Sequence, residues 1–517
     1  MKKIFAFVLA VLLLFSLTSC ANEPKEVVPI IPAESFSRGR GTEADPYIIS
    51  TPEELFYLQV AINEQDNVDF LNDHFRLEKD IDLGGNAWRP IGLKADGETW
   101  PFNGTFDGAG KKILNFTCSM PEEEATFHHL GLFCALGGTV KNLTVDRCTV
   151  TGAAMSYAGA IAATLQEGGL LVNCSVGRKS NVTGDLAGGL VGTCWTANFE
   201  NCSNAASVTG LRIAGGIVGS WEIPDRMGIH QEGVALHMDN CSNSGSVTSG
   251  RFVGGVIGYL GFAMPGEVTM NNCSNAGEIR LDRSLDSDQN TNPPAIGGLV
   301  GIIRGTDPAQ KIALLACSNA GSVDAGGAAD SDAGGLLGRG SSIGSLSLLS
   351  CSNAGTVHGF MYAGGLVGRW SIHENDITRI PDAHAMLLSI SACSNAGEVS
   401  AAVAGGLLGE LGEVGEALEA TFENCVNSAD VTVGFTGGGL IGGMGTGIPT
   451  RLAHCTCDGN VIAQEDVQAS SLTGYLCGLI GLAREAEPEL EGCSFTGKLD
   501  IRDDERYRTS ETYIFDP

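Results

Sequence analysis

Three aspartates near the start of the chain, Asp80, Asp82 and Asp107, are of the residue type from which sugar-cleaving sites are built. Glycoside hydrolysis needs two carboxylates flanking one bond, and a lyase needs a base together with calcium or an arginine. Asp80 and Asp82 stand two apart and share a face of an extended segment. A second group, Asp286-Ser-Asp288-Gln-Asn290-Thr-Asn292, has the alternating oxygens of a calcium loop. Asp286, Asp288 and Asn290 would be its ligands. The glycine and the acid that an EF-hand wants at positions six and twelve are Thr291 and Gly297 here, so a plain solvated loop is the other reading. Calcium is the one cofactor the chain suggests. Cys455-Thr456-Cys457 lacks the further ligands that zinc requires, and no His-Glu-x-x-His, nucleophile elbow or phosphate loop occurs.

An aromatic pattern points to binding instead of catalysis. Trp195, Trp221, Tyr259 and Trp370 each follow a glycine motif by one to three residues, with Arg304, Arg339 and Arg369 close by. Rings beside planar guanidinium groups suit a sugar or a partner protein. On one edge of a regular rod, Trp195, Trp221, Tyr259, Trp370 and Arg369 would form a ligand-binding stripe. The plainer reading has each ring packing under its own loop.

The elements that must position these residues are repeats. Gly-Gly, two aliphatic residues and Gly recur eight times, beginning at Gly188, Gly215, Gly254, Gly297, Gly334, Gly364, Gly405 and Gly438. Between them runs Cys-Ser-Asn-Ala/Ser-Ala/Gly, beginning at Cys202, Cys241, Cys273, Cys317, Cys351 and Cys393. From cysteine to glycine pair is 12 to 14 residues at Cys174, Cys202, Cys241, Cys351, Cys393 and Cys425, whereas the return leg stretches from 14 to 29. One leg is therefore ladder strand and the other admits loops. Three short strands per turn of about 30 residues is the unit of a parallel β-helix, an all-β solenoid in which like residues stack rung on rung. The stacking predicts a file of small buried cysteines, kept reduced because their Cβ vectors run parallel, beside an amide ladder from Asn204 to Asn395. Crosslinks would be left to the off-file Cys118, Cys134, Cys194, Cys457 and Cys477. Before the repeats, Thr51-Pro52-Glu53-Glu54 signals a short helix with a capping box, its Leu55, Leu58 and Ile62 covering the first rung.

The glycine copies resemble the GLUG repeat of bacterial surface and secreted proteins. Asp80-Ile-Asp82-Leu83, Trp88-Arg-Pro-Ile-Gly92 and Phe106-Asp-Gly-Ala-Gly110 are similar to the stretch that precedes such repeats. The resemblance implies a right-handed, pectate-lyase-like β-helix at a cell surface, and it is nearly silent on activity. Lys2 and Lys3, the apolar run Ile4–Phe15, and Leu17-Thr-Ser-Cys20 resemble a lipoprotein leader, implying lipidation at Cys20. The expected organisation is a signal peptide over 1–19, lipidated Cys and tether over 20–36, cap and first rungs over 37–118, repeats over 119–498, and a C-terminal cap over 499–517. The net charge is −29, and −31 once Lys2 and Lys3 leave, which disfavours nucleic acid and anionic lipid surfaces as partners. These readings converge on a lipid-anchored adhesion or ligand-binding rod of the bacterial envelope, facing an extracellular glycan or a protein of a host or neighbouring cell. Membrane attachment would be through the lipid alone. The rivals are a polysaccharide-degrading enzyme and a passive stalk.

Overall fold

The computed structural model describes residues 27–119, 128–222, 234–261, 266–286, 293–305, 309–341, 344–371, 386–412, 418–464, 474–485, 487–502 and 506–516. They form a parallel β-helix with three long sheets and one α-helix near its start. One rung shows the plan. Gly266–Asn271 and Ser274–Asn275 lie in sheet A, Ile279–Leu281 and Ala295–Gly297 in sheet B, and Val300–Arg304 in sheet C. Each pairs in parallel with its equivalent one rung away, as Ser274 with Ser318, Gly297 with Gly334 and Val300 with Leu337.

The register places the cysteines in file. Ser175, Ser203, Ser242, Ser274, Ser318, Ser352 and Ser394 pair in sequence, and the residue before each is a buried cysteine. Their thiols donate to backbone carbonyls of the preceding rung, Cys273 to Met238 at 3.4 Å and Cys351 to Leu314 at 3.3 Å. Off the file, burial pushes the Cys118 and Cys134 thiols up to about 12.

Beside the thiols runs the amide ladder. Asn204 donates to Asn243 at 2.9 Å, and the chain continues through Asn275, Asn319, Asn353 and Asn395 to Asn427 at 2.8 Å per step. Asn427, where the motif has become Cys-Val-Asn, then donates to Cys457 Sγ. Each amide also closes a ring with the backbone two residues on, as Asn319 does with Gly321. The second glycine of each pair is the counterpart of this ladder. A Cβ on Gly298 would stand 2.0 Å from the Gly335 carbonyl oxygen and 2.4 Å from Asn319 Cγ. The two motifs thus meet face to face inside the rod, and neither works alone.

A second amide file, on the solvent side, was not read from the sequence. Asn142, Asn173, Asn201, Asn240 and Asn272 hold positive φ, the last four at the bend just before a cysteine, and each of those four donates to the one before it. Asp107 accepts from Asn142 at 3.0 Å and starts the file. The donors point towards the N-terminal end here and towards the C-terminal end in the buried ladder.

The helix spans Pro52–Asn63, with Thr51 as its cap and Leu55, Leu58 and Ile62 fully buried. The capping box is shifted by one residue: the Glu54 carboxylate takes the backbone N–H of Ser50, and of Ser37, in place of Thr51. Three further details complete the rod. Only the second aliphatic residue of each glycine motif enters sheet C, the first turning the corner. The described part of the tether is docked, since Ile30 and Phe36 pack against the core and Asn86 bonds the backbone of Val28 and Ile30. The closing cap is a further rung, with Leu499–Asp500, Tyr507–Ser510 and Ile514–Asp516 pairing to the strands before them.

Candidate ligand-binding groove

Strands alternate their side chains, and this decides the fate of the aromatic stripe. Trp221 and Trp370 share a register column of sheet C with Cys194, Leu260, Ile303 and Leu411, and all of these are buried in the main core. Gly340, on the rung between, makes room for the Trp370 ring, which a Cβ there would approach to 2.2 Å. Trp195 is partly buried against the same core. Only Tyr259 and Arg369 of the five stripe residues stand in the neighbouring, outward column. An offset that varies by one residue sends one ring into the rod and the next out of it.

That outward column is one wall of a groove, packed shut over its middle rungs and open as a cavity towards its last ones. In sheet C it reads Thr193, Ser220, Tyr259, Ile302, Arg339, Arg369, Glu410 and Gly443. The facing column of sheet B reads His129, Tyr157, Leu186, Ile213, Phe252, Ala295, Asp332, Tyr362, Val403 and Thr436. The walls touch at many rungs. His129 Nδ1 lies 3.2 Å from Thr164 Oγ1, and Phe252 meets Tyr259 with ring centroids 5.8 Å apart. Leu186, Ile213, Phe252, Ala295 and Ile302 form an apolar cluster of their own, outside the core. The signal for both columns was present: they fall two residues before, and five after, the first glycine of each pair.

Chemistry changes along the groove. Its first third carries His129 and Tyr157, whose rings meet edge-on at 5.4 Å. Burial, reinforced by His128, holds the His129 imidazole down to about 4, so it is neutral at physiological pH. The middle third is the apolar cluster. The last third is charged. The fully buried Asp332 carboxylate accepts from Arg339 Nε, and burial pushes this carboxyl up against the opposing pull of Arg339 and Arg369. Arg369 lies beside Arg339 in the ladder and covers the Tyr362 ring, its guanidinium carbon 4.7 Å from the centroid. Below it a cavity of about 320 Å³ opens between Tyr362, Val403, Glu410, Phe435, Thr436 and Gly443.

The catalytic and calcium candidates lie elsewhere. Asp82 Oδ1 accepts from Gly84 N and Asn115, Asp80 Oδ1 from Lys112 N, and Asp107 Oδ1 from Ala109 N and Asn142, so each holds a turn or a ladder end. Asp82 lies opposite Leu114, beyond the bulge that follows Asp107, and each carboxylate is bonded to its own turn, so the two do not make a carboxylate pair. Asp286 is buried and bonded to Arg251 at 2.8 Å and to Arg283 at 3.3 Å, so its carboxylate neutralises arginine and is not set out for calcium. Asp288, Asn290 and the lipidation candidate Cys20 lie outside the described residues. Among the described residues no group of three or more His, Cys, Asp or Glu could hold a metal ion, and no helix is long and apolar enough to cross a membrane.

Comparison with known proteins gives modest context. No family model matches the chain. A protein of Evansella cellulosilytica, provisionally named a Gly-rich membrane protein, is 34% identical over 128 residues, covering 23% of this chain and 13% of that relative. Halomucin of Haloquadratum walsbyi is 32% identical over 165 residues, covering 30% of this chain and 2% of halomucin. The chain therefore spans only a small part of either relative. A solved structure from Bacteroides ovatus, provisionally named an immunoglobulin A1 protease, is 15% identical and covers 89% of this chain and 86% of its own, with a TM-score of 0.30. A likeness that loose carries nothing about fold or activity.

Proposed function

We propose that this protein is a rod of the bacterial cell envelope, anchored by a lipid on Cys20, that captures an extracellular ligand in the groove between sheets B and C without chemistry of its own. The observation that carries the reading is the contrast within single rungs: the interior repeats, while the groove wall changes from rung to rung as a recognition surface must. The similarity to a Gly-rich membrane protein and a halomucin is in keeping with an envelope setting, as is the lipoprotein-like leader. Seven peptide steps separate Cys20 from Val27, so the rod would begin within about 25 Å of its anchor.

The test is retention on an array of glycans and cell-surface proteins at fixed salt. Replacing Tyr157, Tyr259 and Tyr362 together by alanine removes partly exposed rings from three stretches of the groove and should abolish retention, while the far-ultraviolet circular dichroism spectrum at the assay temperature stays that of the folded rod. Retention that survives the triple substitution would place any binding elsewhere on the rod and end this reading.

A further inference from the structure

The charged end of the groove holds polar atoms that the fold leaves without partners. Thr436 is 3% exposed, and its hydroxyl has no hydrogen-bond partner among the described residues. The same is true of the buried Nε of Arg369. Both residues line the cavity of about 320 Å³. Buried polar atoms are nearly always satisfied, so orphans on two residues that line one cavity mark a place where a ligand can supply missing bonds. The volume stands at the small end of ligand sites and suits a single ring.

We infer that this cavity is a subsite for a terminal sugar bearing one carboxylate, an inference that rests on the reading of the groove as a ligand site. An arginine fork pairs best with a planar carboxylate, which assigns the acid group to Arg369. The Thr436 hydroxyl and the Glu410 carboxylate face the opposite end of the cavity, where sugar hydroxyls can give and take hydrogen bonds. Phe435, Val403 and Met444 supply an apolar wall for the C–H face of the ring. Gly443 keeps the floor open: a Cβ there would meet the end of the flexible Glu410 side chain at 2.4 Å. The charge of the whole chain, −29, selects against densely charged polyuronates and in favour of one acid group on an otherwise neutral glycan.

The experiment titrates the purified full chain with 3′-sialyllactose, lactose and polygalacturonate at fixed ionic strength. Sialyllactose should bind at least tenfold tighter than either of the others. Arg369→Gln should bring it down to the lactose level. Gly443→Leu fills the cavity without touching the arginine and should do the same, which guards against a folding defect peculiar to one variant. If lactose binds as well as sialyllactose, or if neither substitution weakens binding, the acidic-sugar subsite is overturned while the groove reading stands. If the array retains nothing, both fall.

Discussion

The buried amide file and the groove wall occupy the same rungs of the same coil and obey opposite rules. The interior reads Asn seven times from Asn204 to Asn427, while the sheet B wall reads Leu186, Ile213, Phe252, Ala295, Asp332, Tyr362, Val403 and Thr436. An amide ladder works only between like neighbours, because each side chain is donor to one and acceptor from the other. A change at one rung leaves groups unpaired on two. The groove wall has no such coupling, since each residue there answers to the strand that faces it and not to a like neighbour. Recognition is therefore sought where the repeat breaks, and stability where it holds.

The sharpest way to break that contrast is to cut both amide files at one rung each. Asn319 makes four hydrogen bonds, to Asn275, Asn353 and both backbone groups of Gly321, all buried. Asn319→Ala should cost about 3 kcal/mol, chiefly from the orphaned Gly321 groups. Asn240 makes the same neighbour contacts in the exposed file, to Asn201 and Asn272, where water can replace them. Asn240→Ala should cost about 1 kcal/mol, much of it for placing alanine at φ 54. Urea midpoints read the difference, and hydrogen exchange shows whether the damage stays near the altered rung, as a solenoid allows. Equal losses would mean that burial is not what separates the two files.

The sequence was most informative where chemistry repeats. The rung, the cysteine file and the amide ladder were legible because identical residues at a fixed spacing can stack in only one way. The site was less legible, for a reason visible in Trp221, Tyr259 and Trp370. Grouping them by nearness to the glycine motif ignored the two-residue period of a strand, which sends Trp221 and Trp370 into the core and Tyr259 outward. Counting five residues from the first glycine would have found Tyr259, Arg339, Arg369 and Glu410 together. Asp286 illustrates a different limit, because its partner Arg251 lies 35 residues away in sequence. Asp107 reads as a catalytic acid until Asn142, one rung on, is seen to use it.

The groove also differs from the interior in its response to acid. The His129 imidazole titrates at about 4 in the fold against 6.5 when free, with burial as the main cause. Its lowered value means that the neutral form is favoured by folding. This contribution is complete above pH 6.5 and is lost as pH falls towards 4, at most about 2 kcal/mol after allowance for its partial exposure. His129→Gln lacks the ionisation, so the stability gap between variant and parent should shift in favour of the variant by that amount between pH 7 and 4. Thermal melts of both across this range isolate the effect from the many carboxylates, which they share. A gap that stays constant would show that His129 is as free to ionise in the rod as in water.

The smallest effect distinguishes what the exposed file contributes. It stops at Asn272, and the next rungs place Ala316, Ser350 and Ala392 at the same positive φ. Ala316→Asn would relieve a backbone conformation that alanine tolerates poorly and would let the new amide donate to Asn272, a gain of about 0.5–1 kcal/mol. The two causes separate in a double-mutant cycle. In an Asn272→Ala background the conformational part of the gain survives and the hydrogen bond does not. If Ala316→Asn stabilises both backgrounds equally, the exposed asparagines serve only to turn the chain at each bend. A smaller gain in the Asn272→Ala background would mean that they form a true ladder, weakened by water but of the same kind as the buried one.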